Sequence, residues 1–322
     1  MTIGVIGGGA WGTALANLLS DAGAVMLWVR ETEVVDSINS THENALYLKG
    51  VPLSVNVRAT SDLAAMADCE ALLLVTPAQH LRGTLAQLNT RAPLILCAKG
   101  IEAGTMLLMS EVAAEVCPNV PIAVLSGPTF AAEVAKGLPT AITLACADAG
   151  IGARLVQTLA RPHFRPYLSD DVIGAEIGGA VKNVLAIACG VAAGAKLGQN
   201  AQAALIARGF AEMTRFGLAK GARAETLQGL SGLGDLVLTC SSTQSRNYSL
   251  GVALGEGRAA SDVLSARNSV AEGAYTAPVL QAAARGLGVE MPVVDAVCAL
   301  LSGTAAVGDV MRDLLGRPLK GE

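Results

Sequence analysis

The chain begins with a short apolar run, Thr2–Ile6, that breaks on Gly7-Gly8-Gly9-Ala10-Trp11-Gly12 and passes directly into the helical pattern Thr13–Leu19. This is G-x-G-x-x-G in strand-turn-helix context, and few sequence features restrict a fold as much. Gly7 permits a sharp turn, Gly9 lets the backbone approach a ligand closely, and Gly12 lets the helix pack on the strand. The helix then points its unpaired N–H groups and the positive end of its dipole at the turn, which suits a phosphate. Asp21-Ala22-Gly23 stops the helix and Ala24–Val29 reads as a second strand, so the opening residues form one βαβ unit. Such a unit demands a parallel sheet, and its glycines are spaced for the pyrophosphate of a dinucleotide.

At the end of the second strand stands the position that separates NAD from NADP. An acid there binds the ribose 2′-hydroxyl, whereas an arginine pairs with a 2′-phosphate. Arg30 occupies it, followed by Glu31. The arginine favours NADP, and the adjacent acid leaves NAD open; the bland reading of Arg30 is a solvated charge at a strand end.

Buried-strand patterns recur at Ala71–Val75, Leu94–Cys97, Ile122–Leu125 and Ala141–Ala145, with helical segments between them, and a further extended piece covers His163–Leu168. The expected fold is an α/β Rossmann-type doubly wound parallel sheet, covered on both faces. Ligands bind beyond the carboxyl ends of such strands. That rule singles out Thr76-Pro77, Ala98-Lys99-Gly100 and Ser126-Gly127-Pro128-Thr129-Phe130. Lys99, the first charge after an apolar strand, is expected to contact a ligand from its position at the sheet's rim; its bland reading is a surface lysine at a strand-helix turn. Thr129 is a candidate N-cap for the next helix.

Beyond Ser169-Asp170-Asp171, a helix-start signal, the strand pattern vanishes. The rest reads as helices broken at Gly217, Gly229, Gly232 with Gly234, Gly257, Gly288 and Gly303, and no Pro/Ser-rich linker intervenes. With 322 residues the chain exceeds what a single core usually serves. A Rossmann domain over 1–170 is therefore expected to lead into an all-α domain over 171–322.

The first helix of that second half, Val172–Ala195, is almost wholly small or apolar and yet contains Lys182. Taking an ammonium out of water costs on the order of several kcal/mol or drives its pKa down. The stretch is long enough to cross a bilayer, but Glu176, Lys182 and Asn183 fall inside it, and Gly and Ala stand where Leu and Ile would favour lipid. It reads as a buried core helix and not a membrane span. Lys182 then needs a partner, a ligand or a proton to carry.

Two polar clusters follow. Ser231-Gly232-Leu233-Gly234-Asp235-Leu236 places an acid in an apolar, glycine-flanked turn, and Ser241–Asn247 supplies a dense set of donors. In the second cluster Arg246 is able to hold a phosphate bidentately, with Ser245 and Asn247 adding neutral donors. The default reading of Ser241–Asn247 is an ordinary polar loop, and of Glu272, before Gly273, a solvated helix cap. The histidines at 42, 80 and 163 are remote in sequence from all these clusters, which disfavours a histidine base.

Several function classes are disfavoured by composition. A net charge of −4 without a basic stripe gives no footprint for nucleic acid, so an anionic substrate must be held by local groups. Seven scattered cysteines without a C-x-x-C pair read as reduced thiols of a cytoplasmic protein and argue against a zinc site. The N-terminus opens in a strand pattern with no export signal. No serine sits in a nucleophile-elbow motif, and hydride chemistry fits better.

Taken together and in order, GGGAWGTALA at 7–16, AKG at 98–100, SGPTFAAEVAKGLPTA at 126–141, GGAVKNV at 178–184, ARGFAEM at 207–213, GLGDLVLTC at 232–240, QSRN at 244–247 and AEG at 271–273 resemble the prokaryotic-type NAD(P)-dependent glycerol-3-phosphate dehydrogenases over essentially the whole chain. The resemblance implies that Lys182 is the proton acceptor for the C2 hydroxyl of sn-glycerol 3-phosphate, and that dihydroxyacetone phosphate is the other reaction partner. It implies substrate contacts at Lys99, Gly127, Thr129, Lys182, Asp235, Ser245, Arg246 and Asn247. Cofactor contacts are implied at Gly7, Gly9, Ala10, Trp11, Gly12, Arg30, Lys99, Ala131, Arg246, Val270 and Glu272. It further implies a helical second domain similar to that of 6-phosphogluconate dehydrogenase, a homodimer, and a supply of glycerol 3-phosphate for phospholipid synthesis. The alternatives are a β-hydroxyacid or 6-phosphogluconate-type dehydrogenase, disfavoured by the QSRN cluster, and a non-catalytic nucleotide sensor, disfavoured by the intact Lys182 and Asp235.

Overall fold

The computed structural model describes residues 2–266 and 271–317, which divide into two compact units. The first comprises Met1–Lys99 and Leu107–Glu176; the second comprises Gly100–Met106 and Ile177–Glu322.

In the first unit eight strands form one sheet: β1 (Ile3–Ile6), β2 (Val25–Trp28), β3 (Val57–Thr60), β4 (Ala71–Leu74), β5 (Leu94–Leu96), β6 (Ile122–Ser126), β7 (Thr140–Cys146) and β8 (Phe164–Ser169). Its order is β3-β2-β1-β4-β5-β6-β7-β8. The chain steps outward from β1 to β3 and then returns to the other side of β1 with β4, so the point where the winding reverses lies between β1 and β4. The helices of this unit are α1 (Ala10–Leu19), α2 (Thr32–Thr41), α3 (Leu81–Leu85), α4 (Met109–Val116), α5 (Ala131–Ala135) and α6 (Ala149–Leu159).

Alternate residues of the central strands feed separate cores. Val5, Leu27, Leu73, Ile95 and Leu125 belong to one buried cluster, and Ile6, Leu72, Leu74, Leu96 and Val124 to another. This is the near-continuous apolar character of strands buried on both faces.

The expected all-parallel sheet needs one correction. β7 runs antiparallel to β6, and β8 is parallel to β7. The chain between them, residues 127–139, carries one helix, the five-residue α5, and β7 enters the sheet from the end at which β6 leaves.

Between Ile177 and residue 317 the described part of the second unit is helices joined by turns, and its other segment, Gly100–Met106, is non-helical. Val172–Gly194 is one helix, α7, whose first residues through Glu176 count with the first unit. Asp171 opens it by accepting the Gly174 N–H at 2.8 Å, as the helix-start signal predicts. It is followed by α8 (Gln199–Ala219), α9 (Ala224–Gln228), a π-helical turn at Leu230–Gly234, α10 (Asp235–Cys240), α11 (Arg246–Gly255), α12 (Ala260–Ser265), α13 (Glu272–Gly286), α14 (Pro292–Ser302) and α15 (Val307–Leu315). The expected break at Gly217 is absent, because Gly217 lies inside α8, where a Cβ would stand 2.7 Å from Leu227 Cδ1. That glycine serves packing and not termination.

Residues 174–192 of α7 are buried without interruption. Its apolar length meets the size criterion for a membrane span, yet 89% of the window is buried inside the protein. Small residues explain how so many neighbours fit. A Cβ on Gly190 would lie 2.1 Å from Tyr248 O, and one on Gly251 would lie 2.0 Å from Ile187 O. The backbones of α7 and α11 therefore touch, at Gly190 and Gly194 of one helix and Gly251 and Gly255 of the other.

Candidate active site

The glycine turn in the first unit has the shape a pyrophosphate requires. Gly7 has φ +124°, and a Cβ there would lie 2.8 Å from the Val75 carbonyl; a Cβ on Gly12 would lie 1.9 Å from Gly7 O. Gly9, by contrast, is exposed with open space around its missing Cβ, and it begins α1 with no side-chain cap. The first N–H groups of α1 thus remain available to an anion. Gly8 O is pinned from behind by Thr13 Oγ1 at 3.3 Å and Asn44 Nδ2 at 2.9 Å, and Asn44 also donates to Thr13 Oγ1. Neither Thr13 nor Asn44 is singled out by the motif. Both are fully buried and hold the turn in shape.

Ala10, Trp11 and Ala131, expected on the cofactor side, share one apolar cluster with Ala14, Leu48 and Val51. Arg30 is exposed at the end of β2, with Nη2 3.3 Å from Glu31 Oε1. The Tyr47 hydroxyl donates to the same Glu31 oxygen, and partial burial, followed by the Glu31 charge, pushes that phenol up from its ordinary pKa.

At the carboxyl end of the sheet, Lys99 Nζ donates to Gly127 O at 3.5 Å, and Thr129 Oγ1 donates to the same carbonyl at 3.3 Å. Gly127 is held close to β7: a Cβ there would stand 3.1 Å from Ile142 Cα. Thr129 is not the N-cap expected of it. Phe130 takes that place without a side-chain bond, and the Thr129 hydroxyl turns to Gly127 instead.

In the second unit Lys182 has the partner its burial requires. Its Nζ donates to Asp235 Oδ1 at 2.7 Å and to Thr239 Oγ1 at 3.0 Å. Asp235 is fully buried at the start of α10, directly after the π turn, and Thr239 one helical turn later donates to Asp235 O. The wide turn brings the backbone against α7, since a Cβ on Gly178 would lie 2.1 Å from Ser231 O. Local π geometry of this kind recurs at functional sites.

Asn183, the next residue after Lys182, accepts from Asn247 Nδ2 at 3.0 Å, and Asn247 Oδ1 accepts the Gly273 N–H at 2.9 Å. This chain of bonds ties α7, α11 and α13 together. Ser245 caps α11 by accepting the Tyr248 N–H, so Arg246 and Asn247 form the first turn of a ten-residue helix. Arg246 is exposed there, and Glu272 begins α13 beside Gly273. Val270 lies outside the described residues. Glu176, the acid near the start of α7, accepts the N–H and hydroxyl of Ser110 on α4.

Thr239 and Asn183 stand in the sequence next to recognised residues without being distinguished by them. The i, i+4 spacing of Asp235 and Thr239 on a helix is the one signal that points to Thr239.

Residues 2–151 match the family model described as NAD-dependent glycerol-3-phosphate dehydrogenase N-terminus, and residues 171–312 match its C-terminal counterpart. The chain belongs to the NAD-dependent glycerol-3-phosphate dehydrogenase family. A relative from Novosphingobium aromaticivorans, named as a glycerol-3-phosphate dehydrogenase using NAD(P)+, is 61% identical, with 99% of this chain and 98% of the relative covered. One of the same name from Sphingopyxis alaskensis is 59% identical over 99% and 97% of the two chains. Among solved structures, the glycerol-3-phosphate dehydrogenase of Coxiella burnetii superposes with a TM-score of 0.94 at 39% identity, covering 98% of this chain and 99% of the other. Members of this family carry the Rossmann sheet and the helical second unit described above, and the glycine turn fits the dinucleotide that the family's name implies.

Proposed function

We propose that this protein catalyses the NAD(P)-dependent interconversion of dihydroxyacetone phosphate and sn-glycerol 3-phosphate. The observation that carries the reading is the buried Lys182, bonded to Asp235 and Thr239, in a helical unit that also presents Arg246 at a helix N-terminus.

A bound nicotinamide dinucleotide supplies hydride transfer at C2 of the substrate. Gly7, Gly9 and Gly12, with the first turn of α1, would hold its pyrophosphate, and Ala10, Trp11, Ala131 and Glu272 would be further cofactor contacts, as would Val270, which lies outside the described residues. Lys182 Nζ delivers a proton to the C2 carbonyl oxygen in reduction and takes it back from the C2 hydroxyl in oxidation. Asp235 and Thr239 fix Nζ by two hydrogen bonds, so the proton is delivered from a set position. The phosphate binds at the N-terminus of α11, where Ser245, Arg246 and Asn247 combine the helix dipole with charge-assisted bonds. Asn247 is oriented beforehand by Asn183 and Gly273. Lys99, Gly127 and Thr129 complete the substrate contacts, with Lys99 also on the cofactor. Binding energy gained at the remote phosphate orients C2 for reaction.

NADP is the preferred cofactor in this reading. Arg30 is exposed and spends only Nη2 on Glu31, so its other guanidinium N–H groups can meet a 2′-phosphate, while Glu31 is engaged by Arg30 and Tyr47. The reading extends to a homodimer in the cytoplasm that supplies glycerol 3-phosphate for phospholipid synthesis; unpaired cysteines at all seven positions are consistent with a reducing compartment. The test is oxidation of NADPH and of NADH by purified protein with dihydroxyacetone phosphate, set against the corresponding oxidation assays with hydroxyisobutyrate and 6-phosphogluconate. Turnover with dihydroxyacetone phosphate, faster with NADPH, is expected; turnover with only the latter pair would overturn the reading.

A further inference from the structure

Gly7-Gly8-Gly9 is the most conformationally free kind of run a chain can contain. Ordering such a run on contact with a ligand costs affinity, and a turn ordered beforehand avoids that loss. Glycine has no side chain with which to order itself. The restraint must come from elsewhere in the chain.

Asn44 supplies it from 36 residues away. Its side chain is wholly buried, with Nδ2 donating to Gly8 O at 2.9 Å and to Thr13 Oγ1 at 2.8 Å, and Thr13 Oγ1 donates in turn to Gly8 O at 3.3 Å. The two donors together occupy both lone pairs of that carbonyl. Asn44 is itself fixed, since its Oδ1 accepts the Tyr47 N–H at 3.0 Å and its main-chain carbonyl accepts the Leu48 N–H at 2.9 Å. Leu48 is buried in one cluster with Ala14 of α1, so this frame is anchored on the helix that the turn begins.

The direction of the pinned carbonyl sets the direction of the next N–H, because the two point opposite ways in a trans peptide. Gly8 is buried and Gly9 exposed. With the Gly8 oxygen drawn inward to Asn44 and Thr13, the Gly9 N–H faces outward at the start of α1. That is the side from which an anion meets the first turn of a helix. Were this peptide free to rotate, its carbonyl oxygen would be turned towards the anion for part of the time, and the two would repel.

We infer that Asn44, acting with Thr13, is a positioning residue for the cofactor: it locks the Gly8–Gly9 peptide with its N–H towards the pyrophosphate. Asn44 has no exposed surface, so it raises affinity without reaching the ligand. This rests on the proposed NAD(P)-dependent reaction. An asparagine that only braced the fold would lower Tm when removed and leave the affinity of the folded protein unchanged. A positioning asparagine changes that affinity.

The experiment compares wild type, Asn44→Ala, Thr13→Val and Thr13→Ser well below the lowest Tm of the four, measuring the Kd of NADPH by its fluorescence and steady-state reduction of dihydroxyacetone phosphate. Asn44→Ala and Thr13→Val are each expected to raise the Kd and KM of NADPH about three- to tenfold, with kcat at saturating NADPH changed less than about twofold. Thr13→Ser, which keeps the hydroxyl, is expected to bind NADPH within about twofold of wild type. If Asn44→Ala does not fold, Thr13→Val removes a bond to the same carbonyl and decides the question alone. Folded variants with wild-type NADPH affinity, or with a lowered kcat and an unchanged Kd, would overturn the inference and leave the proposed reaction intact. Failure of wild type itself to bind NADPH or NADH would overturn the proposed reaction instead.

Discussion

Lys182 Nζ donates to Asp235 Oδ1 at 2.7 Å, and the two side chains are 8% and 0% exposed. A buried pair of this kind is sensitive to the loss of one member, because the other is left charged and without compensation. Asp235→Ala is expected to lower the free energy of unfolding by about 3–5 kcal/mol. The double change Lys182→Met with Asp235→Ala is expected to recover part of that loss. Urea denaturation at neutral pH measures both, and a double variant less stable than Asp235→Ala would contradict the pairing.

The glycines of the first turn separate folding from binding. A Cβ on Gly12 meets Gly7 O at 1.9 Å, whereas one on Gly9 meets nothing within 4 Å. Gly12→Ala is expected to disrupt the β1–α1 packing and lower Tm. Gly9→Ala should change stability by no more than about 0.5 kcal/mol while weakening NADPH, because the new methyl occupies the approach to the pyrophosphate. Thermal unfolding with and without NADPH distinguishes them; equal losses of Tm in the two ligand-free variants would count against this division.

Glu212 predicts a pH dependence unconnected with catalysis. It is buried on α8, and its Oε1 and Oε2 accept the N–H groups of Val293 and Val294 at 2.7 and 3.3 Å, closing the first turn of α14. Burial pushes its carboxyl from the ordinary 4.5 up to about 7, against the two N–H bonds and the Arg215 charge, with Asp295 adding to the rise. A pKa raised on folding favours the folded state at low pH. The contribution is complete below 4.5 and is lost as pH climbs to about 7, an effect on the order of 3 kcal/mol. Relative to wild type, Glu212→Gln should therefore gain stability between pH 4.5 and 7.5. Urea midpoints at both ends of that range check it, and parallel curves for the two proteins would contradict it.

Much of this architecture is legible in the residues, and the exceptions have physical causes. The strands at β1, β4, β5 and β6 are apolar on both faces and stand out in the sequence. β3 does not, because it is an edge strand whose Val57-Arg58-Ala59-Thr60 alternates buried with solvated positions. The direction of β7 is not marked in its residues, because Thr140–Cys146 is as apolar and buried along most of its length as the parallel strands beside it. Gly217 and Gly232 look alike in sequence, yet one packs inside a helix and the other sits in a π turn. In the candidate site, Lys182 is conspicuous because charge in an apolar helix is anomalous. Thr239, Asn183 and Asn44 are ordinary residues until tertiary packing shows what each one holds.

The central claim is that Lys182 moves the proton at C2, and steady-state reduction of dihydroxyacetone phosphate by NADPH in Lys182→Ala, with NADPH affinity measured alongside, tests it most directly. Turnover is expected to fall by about two to four orders of magnitude, with the Kd of NADPH within twofold of wild type. Turnover within a few-fold of wild type would contradict the account and leave Lys182 as a structural partner of Asp235.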